Sequence, residues 1–181
     1  MTNKVPNETE EYYRRMMVKL VREAGTMIRK EEIKRQALTA EINLQYAGLL
    51  RKLIQEDYEL LSKPLENILK ESFQRFTKGE NVGDILASWF ISSFASIVQA
   101  SLIRPIPEIV KHIENVNSFL NSVVNRIINE LRKEGIYLHS IEPISLPPQV
   151  DIFSLARGLK DALTKIDMAI GILKGIKEAS N

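Results

Sequence analysis

The chain has 181 residues, enough for one domain or one domain with an arm, and its 44% hydrophobic and 27% charged residues are the proportions of a folded protein, not a disordered one. It contains no cysteine, which excludes disulfide scaffolds, thiolate zinc sites and thiol nucleophiles. Net charge is only +2, yet ten basic and four acidic residues lie between Tyr12 and Ile54, a local +6 that leaves −4 for the remainder; such an excess is the footprint expected of a polyanion-binding surface.

Residues 1–10 form a polar tail, and the stretch from Met1 to Glu11 is acidic, the opposite of a secretory leader, so a cytoplasmic location or one within a nucleoprotein assembly is expected. Asn7-Glu8-Thr9 matches a glycosylation sequon, a match too short to carry weight. From Glu10 to about Arg29, Tyr13, Met16, Met17, Leu20, Val21, Ala24, Met27 and Ile28 recur at helical spacing. At 100° per residue, Arg15, Lys19, Arg22 and Arg29 project from the side opposite this stripe.

Extending the same phase would bury Glu31, Lys34 and Glu41, so the phase changes. A new seam of Ile33, Ala37, Ala40, Leu44, Ala47, Ile54, Tyr58 and Leu61 predicts a second helix, or one long helix that changes partner near residues 29–32. Its alanines favour close approach of a neighbour. Residues 11–62 are expected to form a basic hairpin or arm and 63–181 a bundle, or the two together one domain. Pro64 is expected to end the second helix and open a third, running to Phe76 with Leu65, Ile68, Leu69, Phe73 and Phe76 near one face.

The turn-rich stretch 77–83 precedes a helix start signalled by Asn81 and Asp84. Ile85 to Ile103 contains no charge, yet includes several serines, with Leu86, Trp89, Phe90, Phe94, Ile97 and Val98 leaning to one side. This predicts a buried central helix; lipid contact and an oligomer interface are the alternatives. After Pro105 and Pro107, a stripe from Ile109 to Leu131 marks a helix ending at Gly135. Residues 136–150 carry three prolines and no helical period, predicting an extended crossing pinned by Tyr137, Leu138, Ile141, Ile144 and Leu146. Asp151 caps a last helix whose seam is Ala156, Leu159, Leu163, Ile166, Ile170 and Leu173; a charge at Leu163 should be severely destabilising. Gly158, Gly171 and Gly175 imply close packing along it.

The fold expected is therefore all-α: a helical bundle of about five to six helices, with long basic N-terminal helices and a proline-rich crossing before the last. The composition, rich in isoleucine, lysine and glutamate, is thermophile-like. Only His112 and His139 are present. His112 follows Glu108 by one turn, which reads as a surface or capping pair, since companion ligands at metal-site spacing are missing. Acidic runs such as Glu56-Asp57-Glu59 read as solvated helix faces, and no nucleophile elbow or phosphate loop occurs. No enzyme activity, cofactor or metal is expected.

The function expected is a non-enzymatic, self-associating helical assembly protein that touches nucleic-acid backbone, DNA or RNA, through Arg14, Arg15, Lys19, Arg22, Arg29, Lys30, Lys34 and Arg35. The plainer possibility is a solvated face with intrahelical pairs such as Glu11–Arg15 and Glu31–Arg35. Two alternatives stand beside it: a helical subunit or adaptor of a larger protein complex, and a membrane-associated protein using residues 85–103.

Overall fold

The computed structural model describes residues 7–24, 30–149 and 151–180; most of the polar tail, Met27, Ile28, Arg29, the side chain of Lys30, and Val150 lie outside the described residues. Among those residues the chain is all-α, with five continuous helices and no strand. Helix α1 is Glu8–Ala24, and α2 runs from Lys30–Asp57 through a π turn at Tyr58–Ser62 into Lys63–Thr77. Helix α3 is Val82–Ile103. Helix α4 joins Ile106–Phe119, a second π turn at Leu120–Val124, and Asn125–Lys133; α5 is Ile152–Ala179.

The expected break at Pro64 does not occur. Lys63 N–H bonds to the carbonyl of Tyr58, five residues back, so the widened turn ends as Pro64 enters the first turn of the next α segment. A proline there lacks a donor that the register does not need. The π turn also adds a residue, which rotates everything beyond it by roughly 100° relative to an unbroken helix. The first part of α2 can thus face α5 while its last part faces α3.

Helix α5 forms the centre of the body, packed by α1, the first part of α2 and α4. Leu155, Leu159, Ile166, Leu173 and Ile176 on α5 are fully buried with Met17, Ala40, Ala47, Ile54, Ile113, Leu120 and Leu131 of the surrounding helices. Leu163 is only half-buried, because the seam turns it towards the edge between helices; Ile166, not Leu163, is the sensitive position. The glycines act as expected. A Cβ on Gly171 would run into the backbone of Glu10, and one on Gly175 into Met17 and the backbone of Arg14, so α1 approaches α5 closely only because both are glycine. Gly158 makes the same kind of room for Leu146 and Ile113.

Local signals also behave as chemistry requires. Asn81 Oδ1 accepts from the N–H groups of Gly83 and Asp84, and Asp151 accepts from Ser154, satisfying donors that a helix start leaves free. Gly135, with φ +88°, ends α4 in the left-handed conformation. Beyond it, the chain turns back along α4. Asn125 both donates to and accepts from the backbone of Ile141 at 2.8 Å, and Asn117 does the same for Ile144 at 2.7 and 2.9 Å. These amides replace the backbone partners that an extended segment on a helix would otherwise lack. Ile136, Ile141 and Ile144 are buried beneath it, whereas Tyr137, expected to pin the segment, is 77% exposed.

Candidate functional site

Helix α3 is not the buried central helix expected. Only Ile85, Ser93 and Ala100 are buried, and the helix pairs chiefly with the last part of α2, so that residues 63–103 form an antiparallel hairpin on the side of the body. Of the six large residues expected on one side, Leu86, Phe90, Phe94 and Val98 turn outward, whereas Trp89 and Ile97 are half-buried. With Ile85, Ser93 and Ala100 marking the inner line, Phe90, Phe94, Val98 and Ile91 project from about 90° round to the far side. On the inner line, the hydroxyl of Ser93 is buried without a hydrogen-bond partner among the described residues. Phe90, Ile91 and Phe94 are each more than 60% exposed, and Leu102 is 83% exposed.

The last part of α2 continues this surface. Its inner side carries the half-buried Ile68, Ser72 and Arg75, while Leu69, Phe73 and Phe76 are exposed. Those three lie roughly 90° further along the helical rotation, as Leu86, Phe90 and Phe94 do on α3. Because the two helices run antiparallel, equal rotations along each chain bring both triplets to the same side of the hairpin. Helix α5 reaches that side only at the base. There Ser62 Oγ donates to the carbonyl of Ala156 at 2.9 Å, and Lys160 Nζ lies 3.0 Å from Glu66 Oε1. Trp89 stacks on Phe153 with centroids 5.9 Å apart, and a groove of about 310 Å³ opens between Leu65, Leu69, Trp89, Phe153 and Ala156. Burial pushes the Glu66 carboxyl up, but hydrogen bonds from Lys160 and Tyr58 outweigh it and hold the group below the usual range.

What fixes the hairpin to the body is a buried ionic cluster. Asp57, fully buried and one residue before the π turn, accepts from Arg104 at the end of α3 and lies 2.7 Å from His112 Nδ1 on α4. Glu56 and Glu108 flank Arg104 at 3.4 and 4.0 Å, and Glu108 is also 4.0 Å from His112 Nε2. Two expectations change here: Asp57 is not on a solvated face, and His112 is not a surface partner of Glu108 alone. Nδ1 of the ring is engaged by the buried Asp57 and Nε2 faces Glu108 at 4.0 Å, so the arrangement is a structural clamp between three helices. Its members are 47 and 55 residues apart in sequence, so no local pattern announced them. A second uncovered apolar stripe, Leu38, Ile42, Tyr46 and Leu49, runs along the outer face of α2, opposite its alanine seam.

The predicted basic residues divide between structural and free roles. Arg14 hydrogen-bonds Glu11 at 2.7 and 2.9 Å and reaches Glu178 of α5, so it ties α1 to the body. Arg15 is exposed and bonds Glu11 at 2.6 Å; the hydrogen bonds from Arg14 and Arg15 hold the Glu11 carboxyl at a pKa of about 2. Lys19 lies 3.7 Å from Glu23, and Arg22 and Lys34 are exposed. Arg35 pairs with Glu32 at 2.7 Å instead of the expected Glu31. It also lines a polar cleft of about 480 Å³ between α2 and α4, with Gln36, Thr39, Asn43, Arg126 and Glu130. Arg29 and the side chain of Lys30 lie outside the described residues. No protein-family model, curated protein or solved structure matches the chain.

Proposed function

We propose that this protein is a non-enzymatic structural subunit that associates with copies of itself through the uncovered apolar surface of the hairpin. The observation that carries this reading is the exposure of most of the large apolar side chains of α3: Leu86, Phe90, Ile91, Phe94 and Leu102 are each 60% or more exposed, while only Ile85, Ser93 and Ala100 of that helix are buried. A monomer gains nothing from that arrangement, because apolar area left in water forfeits its burial free energy. Self-association is favoured over a bilayer by the hairpin's charges. Lys63, Lys70 and Glu71 are exposed on the helix that runs beside α3, and spanning would draw them into hydrocarbon. Between residues 63 and 104 five basic and four acidic residues nearly cancel, so anionic lipid headgroups are offered little attraction.

Sedimentation of the purified protein over a range of concentrations tests the reading. Reversible dimers or larger species are expected, and a monomer at all concentrations would refute it. Contact with nucleic-acid backbone is the second element proposed, favoured by the exposed Arg15, Lys19, Arg22 and Lys34 and by the cleft that Arg35 shares with Arg126. Binding to a generic duplex should fall steeply with salt and weaken when Arg15, Lys19 and Arg22 are replaced by glutamine. Unchanged binding in that variant would remove those residues from the contact.

A further inference from the structure

We infer that the occupant of the hairpin surface is the hairpin of a second copy, laid against the side that carries Leu69, Phe73, Phe76, Leu86, Phe90 and Phe94, so that two hairpins close into a four-helix cluster. The inference rests on the self-association proposed above and specifies its face. Exposures of 57–68% leave roughly 700 Å² of apolar side chain on these six residues. That exceeds the ~300–600 Å² of the largest patch on an ordinary monomer, and two such faces together reach the ~1,200–2,000 Å² of a stable interface.

Three features select a second copy and this side. The six apolar residues carry no charge, and Glu66, which shares their side at the base, is paired with Lys160 at 3.0 Å, so a two-fold arrangement that sets the apolar residues against themselves brings no unpaired like charges together. Helix pairs that each keep an uncovered apolar side reach a closed core when two of them meet, which is the packing logic of four-helix bundles. The face is also continuous with packing already present. At its base α5 covers the same side through Ser62, Glu66 and the groove at Leu69, and α5 begins at Ile152, leaving Phe73, Phe76, Leu86 and Phe90 uncovered towards the tip.

Because the chain has no cysteine, single cysteines report the face directly. Phe73→Cys and Phe90→Cys are introduced separately into the full chain, with Ser92→Cys and Gln99→Cys as exposed positions on the other side of α3 and Ile42→Cys on the outer stripe of α2. Under mild oxidation in dilute solution, interchain disulfide dimers are expected from Phe73→Cys and Phe90→Cys, at least tenfold more than from the other three. Phe90→Glu should leave the circular dichroism spectrum unchanged and shift the sedimenting species to monomer. Dimers that persist in Phe90→Glu, or that cross-link through Ile42→Cys or Ser92→Cys, would overturn this face while leaving self-association standing. A monomer in every variant and in the parent protein would refute the self-association itself. Flotation of a monomeric parent with phosphatidylcholine–phosphatidylglycerol vesicles, lost in Phe90→Glu, would overturn the inference in favour of a lipid surface.

Discussion

The body and the hairpin are built from the same materials and end in opposite states. In the body, α5 is surrounded, its isoleucines and leucines are sealed, and glycines admit α1 to backbone distance. In the hairpin, a helix without charge from Ile85 to Ile103 buries only Ile85, Ser93 and Ala100 and turns phenylalanine and leucine to solvent. Apolar content alone therefore does not decide burial. What decides it is whether the large side chains lie on the face that meets another helix, and the hairpin points most of them where no helix among the described residues covers them.

The largest expected effect that sharpens this contrast is at Ile166. Ile166→Asp places an unpaired charge at a fully buried position and should cost more than about 4 kcal/mol, enough to unfold the body in a denaturant titration. Leu163→Asp, at a half-buried position, should cost distinctly less. Asp57→Ala is next: it strips Arg104 and His112 of their buried partner and should cost about 3–5 kcal/mol. Hydrogen exchange in that variant should rise first in residues 63–103 if the clamp holds the hairpin to the body, and a uniform rise would show that it does not.

Gly175→Val comes third, at about 1–3 kcal/mol, because the added side chain meets Met17 and the backbone of Arg14 and must push α1 away. Faster exchange or proteolysis confined to α1 would register it. Phe90→Ser should change monomer stability by only about 0.5 kcal/mol, since its side chain is already in solvent, while weakening association. A large loss of monomer stability there would erase the distinction between the two regions.

The smallest effect is pH-dependent. Glu11 has its carboxyl held at about 2 by hydrogen bonds from Arg14 and Arg15, below its ordinary 4.5. A depressed folded-state value means that this contribution is complete above pH 4.5 and fades as pH falls towards 2. Amide exchange in α1 should therefore accelerate over that window, and Glu11→Gln should flatten the response. Solvent screening at this exposed group keeps the change small.

Much of the helical framework was legible from local chemistry. The helical period located α1, α4 and α5, Asn81 and Asp151 declared helix starts, Gly135 declared an end, and the glycines of α5 announced a close neighbour. Pro64 misled because a helix can absorb a proline at a π turn, and the turn depends on packing rather than on the residue. The candidate site was less legible. The asymmetry of α3 was visible, but an apolar stripe specifies a face and not what lies opposite it. The Asp57 clamp was hidden in an acidic run, since only the meeting of three helices removes that carboxylate from water.

The sequence by itself determined that this chain is helical, where most helices begin and end, and which side of each is apolar, because hydrogen bonding and side-chain period act over one or two turns. Only the tertiary structure decided which apolar sides would be covered. Covering a face requires a second helix brought from far along the chain, and for α3 the described residues bring chiefly the end of α2, against the side that carries Ile85, Ser93 and Ala100.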